Sequence, residues 1–163
     1  MKLRKYKMLF VILLFSAFAY CVSGETSSYQ ITISLSQPSF KLGEPILAHV
    51  SLKNISNERI VVSSGIGPHQ AEVNYEITVT DESGSHIAFK SSIRQPGQIS
   101  KPSVFSRASV DLAPNETLEE DSVITTLFPL EKPGRYKLEF TRWVPGTKNT
   151  SVHSNSITFV IVK

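Results

Sequence analysis

Apolar and polar residues alternate with a period of two over much of the chain beyond residue 28. The alternation is clearest at 29–35, 46–53 and 73–80, where every second residue is Ile, Val, Leu, Ala or Tyr. Successive side chains of a β-strand point to opposite faces, so each of these segments predicts a strand with one buried face. Further strands are predicted at 59–62, 85–89, 109–112, 118–125, 135–144 and 154–162.

Turn-forming residues separate these segments. The sequence DESG at 81–84 predicts a hairpin turn between 73–80 and 85–89, and the Pro-Gly pairs at 133–134 and 145–146 predict two more turns. No window of eleven or more residues after residue 24 has the apolar stripe of a helix. The predicted fold class is therefore all-β, an antiparallel two-sheet sandwich of about eight strands that is Ig-like or fibronectin-III-like.

The first 24 residues have a different pattern, that of a secretory signal peptide. Four basic residues within the first seven precede an apolar run at 8–22, and the small residues Ser23 and Gly24 follow it. The run is shorter than the roughly 20 residues that span a bilayer, so we expect cleavage and no membrane span. We expect residues 1–24 to be a signal peptide and 25–163 to be one Ig-like β-sandwich domain. The expected location is extracytoplasmic, either periplasmic or secreted.

Removing residues 1–24 changes the composition and the charge. Both methionines and the single cysteine, Cys21, lie there, so no thiol or thioether remains for catalysis or metal binding. Four of the 17 Lys/Arg residues and none of the 14 Asp/Glu residues lie there, which leaves a net charge of −1 for 25–163. We expect no cofactor and no nucleic-acid partner, because phosphate binding needs unopposed positive charge. The bulky FAY sequence before Cys21 is unlike a lipidation site, so we expect no lipid anchor there.

A short segment at 132–138 specifies a structural corner. Gly134 and Tyr136 stand as in the Gly-x-Tyr-x-Cys corner of immunoglobulin-like domains, and Leu138 stands in place of the cysteine. The segment resembles this corner, in which the tyrosine hydroxyl bonds to nearby backbone while the ring packs into the core. The resemblance implies a disulfide-free Ig-like sandwich.

A weaker resemblance covers most of residues 29–162. The segments FKLGEPI at 40–46 and VSLKNIS at 50–56 are similar to the opening of exported bacterial Ig-like modules. Macroglobulin-type domains and the bacterial intracellular proteinase inhibitor domain open similarly. The resemblance implies a fold, since its motifs are turns and strand ends that any such sandwich needs. It places no inhibitory loop in this chain.

Two groups of titratable residues could be either chemical sites or solvent-exposed structural residues. The four histidines lie far apart in the sequence, so we expect surface or hydrogen-bonding histidines and no metal site. Acidic residues cluster at 111–121, where Glu119, Glu120 and Asp121 are consecutive. A calcium site or a hydrolytic acid pair would need these carboxylates to converge, whereas neighbours on a strand point to opposite faces. We interpret the cluster as a solvated sheet edge protected by charge.

The segment 90–108 is a candidate partner-binding loop. It lacks acidic residues and regular periodicity, which leaves its positive charge available to an anionic partner or to the acidic segment 111–121. The candidate binding residues are Lys90, Arg94, Lys101, Phe105 and Arg107.

Trp143 is the single tryptophan and a candidate contact residue. Counting from Tyr136 places it on the face opposite to Leu138 and Phe140, where it would meet solvent and a partner. The alternative, which we favour from the sequence, is a bulge before Pro145 that turns the ring inward to close one end of the core.

The sequence therefore predicts an exported, non-catalytic Ig-like binding or structural module. Its partner would be a protein or an anionic surface. We predict that it is not an enzyme, since 25–163 contains no GxSxG, SxxK or phosphate-binding loop sequence. The alternative, which rests on the resemblance to proteinase inhibitor domains, is an inhibitor or modulator of extracytoplasmic proteases.

The export prediction is tested by the mass of the exported chain. We expect a mature protein that begins at Glu25, or at Tyr20 if cleavage follows Ala19. Intact-mass measurement distinguishes these species. A diacylated or uncleaved N-terminus would contradict the prediction.

Overall fold

Ten strands and one helical turn form the described part of this computed structural model, which comprises residues 27–65, 71, 74–90, 107–144 and 150–163, with Arg107 described by its backbone alone. The strands are β1 (Tyr29–Leu35), β2 (Ser39–Lys41), β3 (Leu47–Asn54), β4 (Ile60–Gly65), β5 (Glu76–Asp81), β6 (Arg107–Leu112), β7 (Thr117–Val123), β8 (Gly134–Trp143), β9 (Ser151–His153) and β10 (Ile157–Val162). The helical turn α1 is Ile124–Leu127, and no described helix is long and apolar enough to cross a membrane. The predicted signal peptide and Cys21 lie outside the described residues.

The strands form three hydrogen-bonded sheets. The first has the order β1-β3-β7, the second has the order β2-β10-β8-β5 with β9 also paired to β8, and the third pairs β4 with β6. The predicted all-β sandwich is confirmed. It differs from the expectation of about eight antiparallel strands in two sheets in two ways. The strands β4 and β6 form a separate third sheet, and the short strand β2 pairs with β10 in parallel.

The alternation of the sequence produces the core. Strand β3 buries Ala48, Val50 and Leu52, and β8 buries Tyr136, Leu138 and Phe140. Inward side chains from the first two sheets belong to one buried cluster, as a sandwich requires. Each large apolar side chain so buried contributes about 1.5–3 kcal/mol to folding.

Most predicted strand bounds are displaced by about one to three residues, and 85–89 forms no strand, only an isolated bridge at His86. The strand predicted at 73–80 begins at Glu76, because Asn74 and Tyr75 form a turn by donating their N–H groups to the Ala71 carbonyl. The strand predicted at 118–125 ends at Val123, where α1 begins. The strand predicted at 154–162 begins only at Ile157, and the separate strand β9 ends before it at His153.

Asn155 lies in the connection between β9 and β10, and its side chain pairs with β1. Its Oδ1 accepts a hydrogen bond from Ile33 N at 2.7 Å, and its Nδ2 donates to Ile33 O at 3.1 Å. The amide thus replaces one peptide unit of a neighbouring strand. It joins the first sheet to the second and covers part of the β1 edge.

Tyr136 forms a corner where β8 begins. Its hydroxyl donates to the Lys132 carbonyl at 2.8 Å, and its ring stacks on Phe159 with centroids 5.7 Å apart. The side chain is buried, which raises the pKa of the phenol. Gly134 begins the strand at a φ of 158°, a conformation that other residues rarely adopt.

A buried ion pair connects the sheets. Arg142 on β8 and Glu120 on β7 are 3% and 2% exposed, and Arg142 Nη1 lies 3.8 Å from Glu120 Oε2. Arg142 Nη2 donates to the Ser63 carbonyl of β4 at 2.6 Å, while Ser64 Oγ donates to Glu120 Oε1 at 3.0 Å. The pair therefore links all three sheets through hydrogen bonds.

Two tyrosines enclose this ion pair. The Arg142 guanidinium lies 5.1 Å from the ring centroid of Tyr75 and 6.0 Å from that of Tyr29, both of which are buried. Burial raises the pKa of both phenols, and the Glu120 charge raises that of Tyr75 further. Aromatic faces stabilise a guanidinium that has left water.

The interpretation of 111–121 as a solvated edge is wrong for Glu120. Alternation along β7 sends Glu119 and Asp121 outward, where they contact Ser51 and His49, and sends Glu120 into the core. The opposite facing of neighbours was anticipated from the sequence. The sequence did not indicate that Glu120 would pair with a buried cation, Arg142.

We expect Tyr136→Phe to lower the free energy of unfolding by about 0.5–1.5 kcal/mol, since Lys132 lies in an exposed turn where water replaces the lost donor. Tyr136→Ala also removes the buried ring and should cost about 3–5 kcal/mol. Chemical denaturation measures both. Losses below about 0.5 kcal/mol for both variants would contradict the corner.

We expect Arg142→Met to cost about 3–5 kcal/mol, because it leaves Glu120 buried without its cation. Adding Glu120→Leu should restore much of that loss, since an apolar pair of similar volume carries no desolvation penalty. A double-mutant cycle from denaturation curves gives the coupling. Strictly additive losses would show that the two groups do not stabilise each other.

Candidate functional site

A shallow groove of about 430 Å³ crosses the outward side of β5, β8 and β9. We call it the outer-face groove. Its lining residues are Glu76, Thr78, Thr80, His86, Lys137, Glu139, Thr141, Trp143, Ser151 and His153. The set is polar apart from Trp143, and it combines hydrogen-bond donors with acceptors.

Strand alternation and register build the groove. Along β8 the odd-numbered residues from Arg135 to Trp143 point away from the core. Antiparallel pairing then sets Glu76 beside Thr141, and Thr78 beside Glu139. Directly opposed side chains of paired strands lie about 5 Å apart, so groups from β5 and β8 form one continuous surface.

Trp143 lies at one end of this surface and is 57% exposed. The expectation that its ring closes the core is wrong, because β8 has no bulge and alternates without interruption up to Trp143. Arg142 takes the inward position instead and bonds to β4. The face assigned to Trp143 by counting from Tyr136 is the observed one.

A hydrogen-bond network orients His153 beside Trp143. His153 Nδ1 lies 3.0 Å from Glu139 Oε1 and 3.1 Å from Thr141 Oγ1, and its Nε2 lies 3.3 Å from Ser151 Oγ. An ionised carboxylate can only accept a hydrogen bond, so Nδ1 carries the ring proton and its N–H donates to Glu139. In the neutral ring Nε2 then accepts from the Ser151 hydroxyl.

The order Ser151, His153, Glu139 is also that of a hydrolytic triad. Here the three groups lie on an open strand face, and the His153 side chain is 58% exposed. Water competes for each contact at such a position, whereas triads act in enclosed sites with donors for the oxyanion. We therefore assign these contacts the role of holding His153 in place.

A tight turn places His86 at the other end of the groove. Asp81 Oδ1 accepts hydrogen bonds from the Ser83 hydroxyl at 2.6 Å and from the Ser85 N–H at 3.0 Å. The bond from Ser83 lowers the pKa of Asp81. The predicted hairpin beyond this turn is short, since His86 forms only an isolated bridge with Thr80.

The groove carries mixed charge. Glu76 and Glu139 are opposed by Lys137, and two histidines complete its titratable groups. No group of three His, Cys, Asp or Glu side chains that could hold a metal ion occurs in the described part of the chain.

The outward side of the first sheet differs from the outer-face groove in its exposed side chains. His49 Nδ1 lies 2.6 Å from Asp121 Oδ1, and Ser51 Oγ donates to Glu119 at 3.0 Å. Its polar groups thus bond to one another across β3 and β7. No large aromatic side chain lies exposed among these paired residues.

The predicted partner-binding loop is described only at its ends. Lys90 is anchored on α1: its N–H donates to the Leu127 carbonyl at 2.8 Å and its Nζ to the Thr125 carbonyl at 2.6 Å. Arg107 begins β6. The other candidates, Arg94, Lys101 and Phe105, lie outside the described residues.

Sequence reasoning missed the grouping of His153, Ser151 and Glu139 with Glu76. Alternation along β8 already placed Glu139 on the same face as Trp143. The missing information was the register, which sets His153 opposite Thr141 and Glu76 opposite the same residue from the other side. No local sequence signal encodes that register.

No protein-family model and no curated protein matches this chain. It is similar to parts of solved structures. One is a β-glucosidase from Erythrobacter marinus, at 14% identity and a TM-score of 0.42 over 83% of this chain and 15% of that chain. The chain thus spans less than a sixth of that enzyme.

Two further similar structures are separate domains. The CARDB domain of the PF1109 protein from Pyrococcus furiosus, in complex with di-metal ions, has 11% identity and a TM-score of 0.39 over 82% of this chain and 87% of that chain. The C-terminal domain of wzt has 11% identity and a TM-score of 0.44 over 85% of this chain and 75% of that chain.

Proposed function

We propose that this protein is a non-catalytic binding module that presents the outer-face groove to its ligand. One observation carries the proposal: the single tryptophan is 57% exposed at the end of a groove whose other side chains are polar. Tryptophan is among the residues that contribute most to binding when a partner covers them.

The neighbours of Trp143 support a binding role for this face. Glu139, Thr141 and Ser151 lie within hydrogen-bond distance of the His153 ring and favour one orientation of it, which partly preorganises the polar groups beside the indole. Preorganised groups lose less conformational entropy when a ligand arrives. The outward side of the first sheet has comparable polarity but no exposed aromatic.

The proposal includes an extracytoplasmic location. It rests on the basic, apolar and small-residue order of residues 1–24, as set out from the sequence. An exported module meets envelope and environmental ligands, and the mass measurement described above tests this part independently of binding.

The protease-inhibitor alternative rests on the resemblance alone. An inhibitor needs an exposed, rigid loop that enters a protease cleft, and no described residue is assigned to such a loop. The predicted partner-binding loop at 90–108 remains a second candidate surface, and Lys90 at its start bonds to α1. Its other candidate binding residues are Arg94, Lys101, Phe105 and Arg107.

Trp143 gives the test a direct readout, since no other tryptophan contributes to the emission. Three probes of different chemistry are titrated: neutral oligosaccharides, phosphatidylglycerol vesicles and polyglutamate. We expect at least one to shift the emission of Trp143. Trp143→Ala, whose binding is measured by titration calorimetry because this variant has no tryptophan, should bind that probe at least about tenfold more weakly.

Val61→Ala is the matched control, because Val61 is a 66% exposed apolar residue of β4 outside the groove. It should leave binding unchanged. Binding that survives Trp143→Ala, or the absence of any response from Trp143, would overturn the proposal. Protease inhibition that is unaffected by Trp143→Ala would favour the alternative function.

A further inference from the structure

The geometry points to a neutral polysaccharide, bound along its length, as the ligand of the outer-face groove. This inference rests on the proposed function and specifies the ligand for the same site. Four properties of the groove carry it: the exposed indole, the mixture of donors and acceptors, the charge balance and the open shape.

The exposed indole suits a sugar ring. One face of a pyranose presents C–H groups with partial positive charge, and the face of an indole is electron-rich. Stacking the two buries apolar area on both sides while the sugar hydroxyls project from the ring edge. Trp143 is 57% exposed and is flanked by polar side chains that meet such an edge.

The polar lining suits hydroxyl groups. A sugar hydroxyl both donates and accepts, so a complementary surface must offer both functions. Glu76 and Glu139 are acceptors, while Lys137 is a donor. Thr78 and Thr141 do either, and their short side chains lose little entropy on binding.

The lining residues disfavour two other ligand classes, polyanions and apolar chains. A polyanion would meet Glu76 and Glu139, and the single Lys137 does not offset both. An acyl chain or an apolar peptide would find one large apolar side chain, Trp143, among the lining residues. A neutral polysaccharide is not repelled by Glu76 and Glu139 and does not need a large apolar surface.

The shape indicates a chain rather than a chain end. Trp143 and Lys137 lie six positions apart along β8, a distance of about 20 Å at the usual strand rise. The groove is shallow and follows this line. Several sugar units therefore lie along it, and affinity should grow with the number of units until the groove is full.

The experiment is a titration of Trp143 emission with neutral glucans, xylans and mannans, each as a monosaccharide, disaccharide and hexasaccharide. For at least one series we expect a blue shift of emission and affinity that rises at least about tenfold from disaccharide to hexasaccharide. Raising NaCl from about 0.05 M to about 0.5 M should change that affinity less than about twofold, since no net charge is neutralised.

Variants locate the contacts. Titration calorimetry measures binding by the two variants that have no tryptophan. Trp143→Ala should abolish binding, and Trp143→Phe should retain part of it by keeping an aromatic face. Glu139→Gln should weaken binding several-fold by removing the charged acceptor. Glu119→Gln, on the outward side of the first sheet, is the matched control and should bind like the unmodified protein. Thermal melts verify that each variant is folded.

The outcomes separate this inference from the proposed function. Trp143-dependent binding of vesicles or polyglutamate, without binding of any neutral sugar, would overturn the inference while the proposed function stands. Equal affinity for monosaccharide and hexasaccharide would overturn binding along the chain. No Trp143-dependent binding of any probe would overturn both.

Discussion

The unbroken alternation of β8 is the constraint on which the rest of the structure depends. Its inward residues Tyr136, Leu138 and Phe140 form the centre of the core in the second sheet. Its outward residues line the groove, with Glu139 between the ends and Trp143 at one end. One bulge would shift every following side chain to the opposite face, so core and groove are specified by the same register.

Arg142 occupies the inward position near the end of β8, so the alternation continues there up to Trp143. An inward arginine is costly unless it is paired, and here Glu120, the Ser63 carbonyl and two tyrosine rings surround it. These partners come from β7, β4, β1 and the segment before β5. The ion pair therefore makes the outward position of Trp143 conditional on the correct assembly of all three sheets.

Much of the fold was predictable because it follows from local pattern. The strand predicted at 29–35 has the bounds of β1, and the one predicted at 135–144 differs from β8 by one residue at each end. Prediction failed where a distant group intervened. Asn155, inside the strand predicted at 154–162, bonds to Ile33, 122 positions away, and β10 begins only at Ile157. Such a contact leaves no periodic signal.

The sequence by itself determined the all-β class and the face on which each residue of β8 lies, because side-chain direction in a strand depends only on position along it. The tertiary structure alone decided which strands lie side by side and in what register. That pairing brings Glu76 and His153 to Thr141, next to Trp143, and places Glu120 against Arg142. Backbone hydrogen bonds are the same for every residue type and do not select a register. Contacts between side chains that are distant in the sequence select it, and such contacts leave no local periodic pattern.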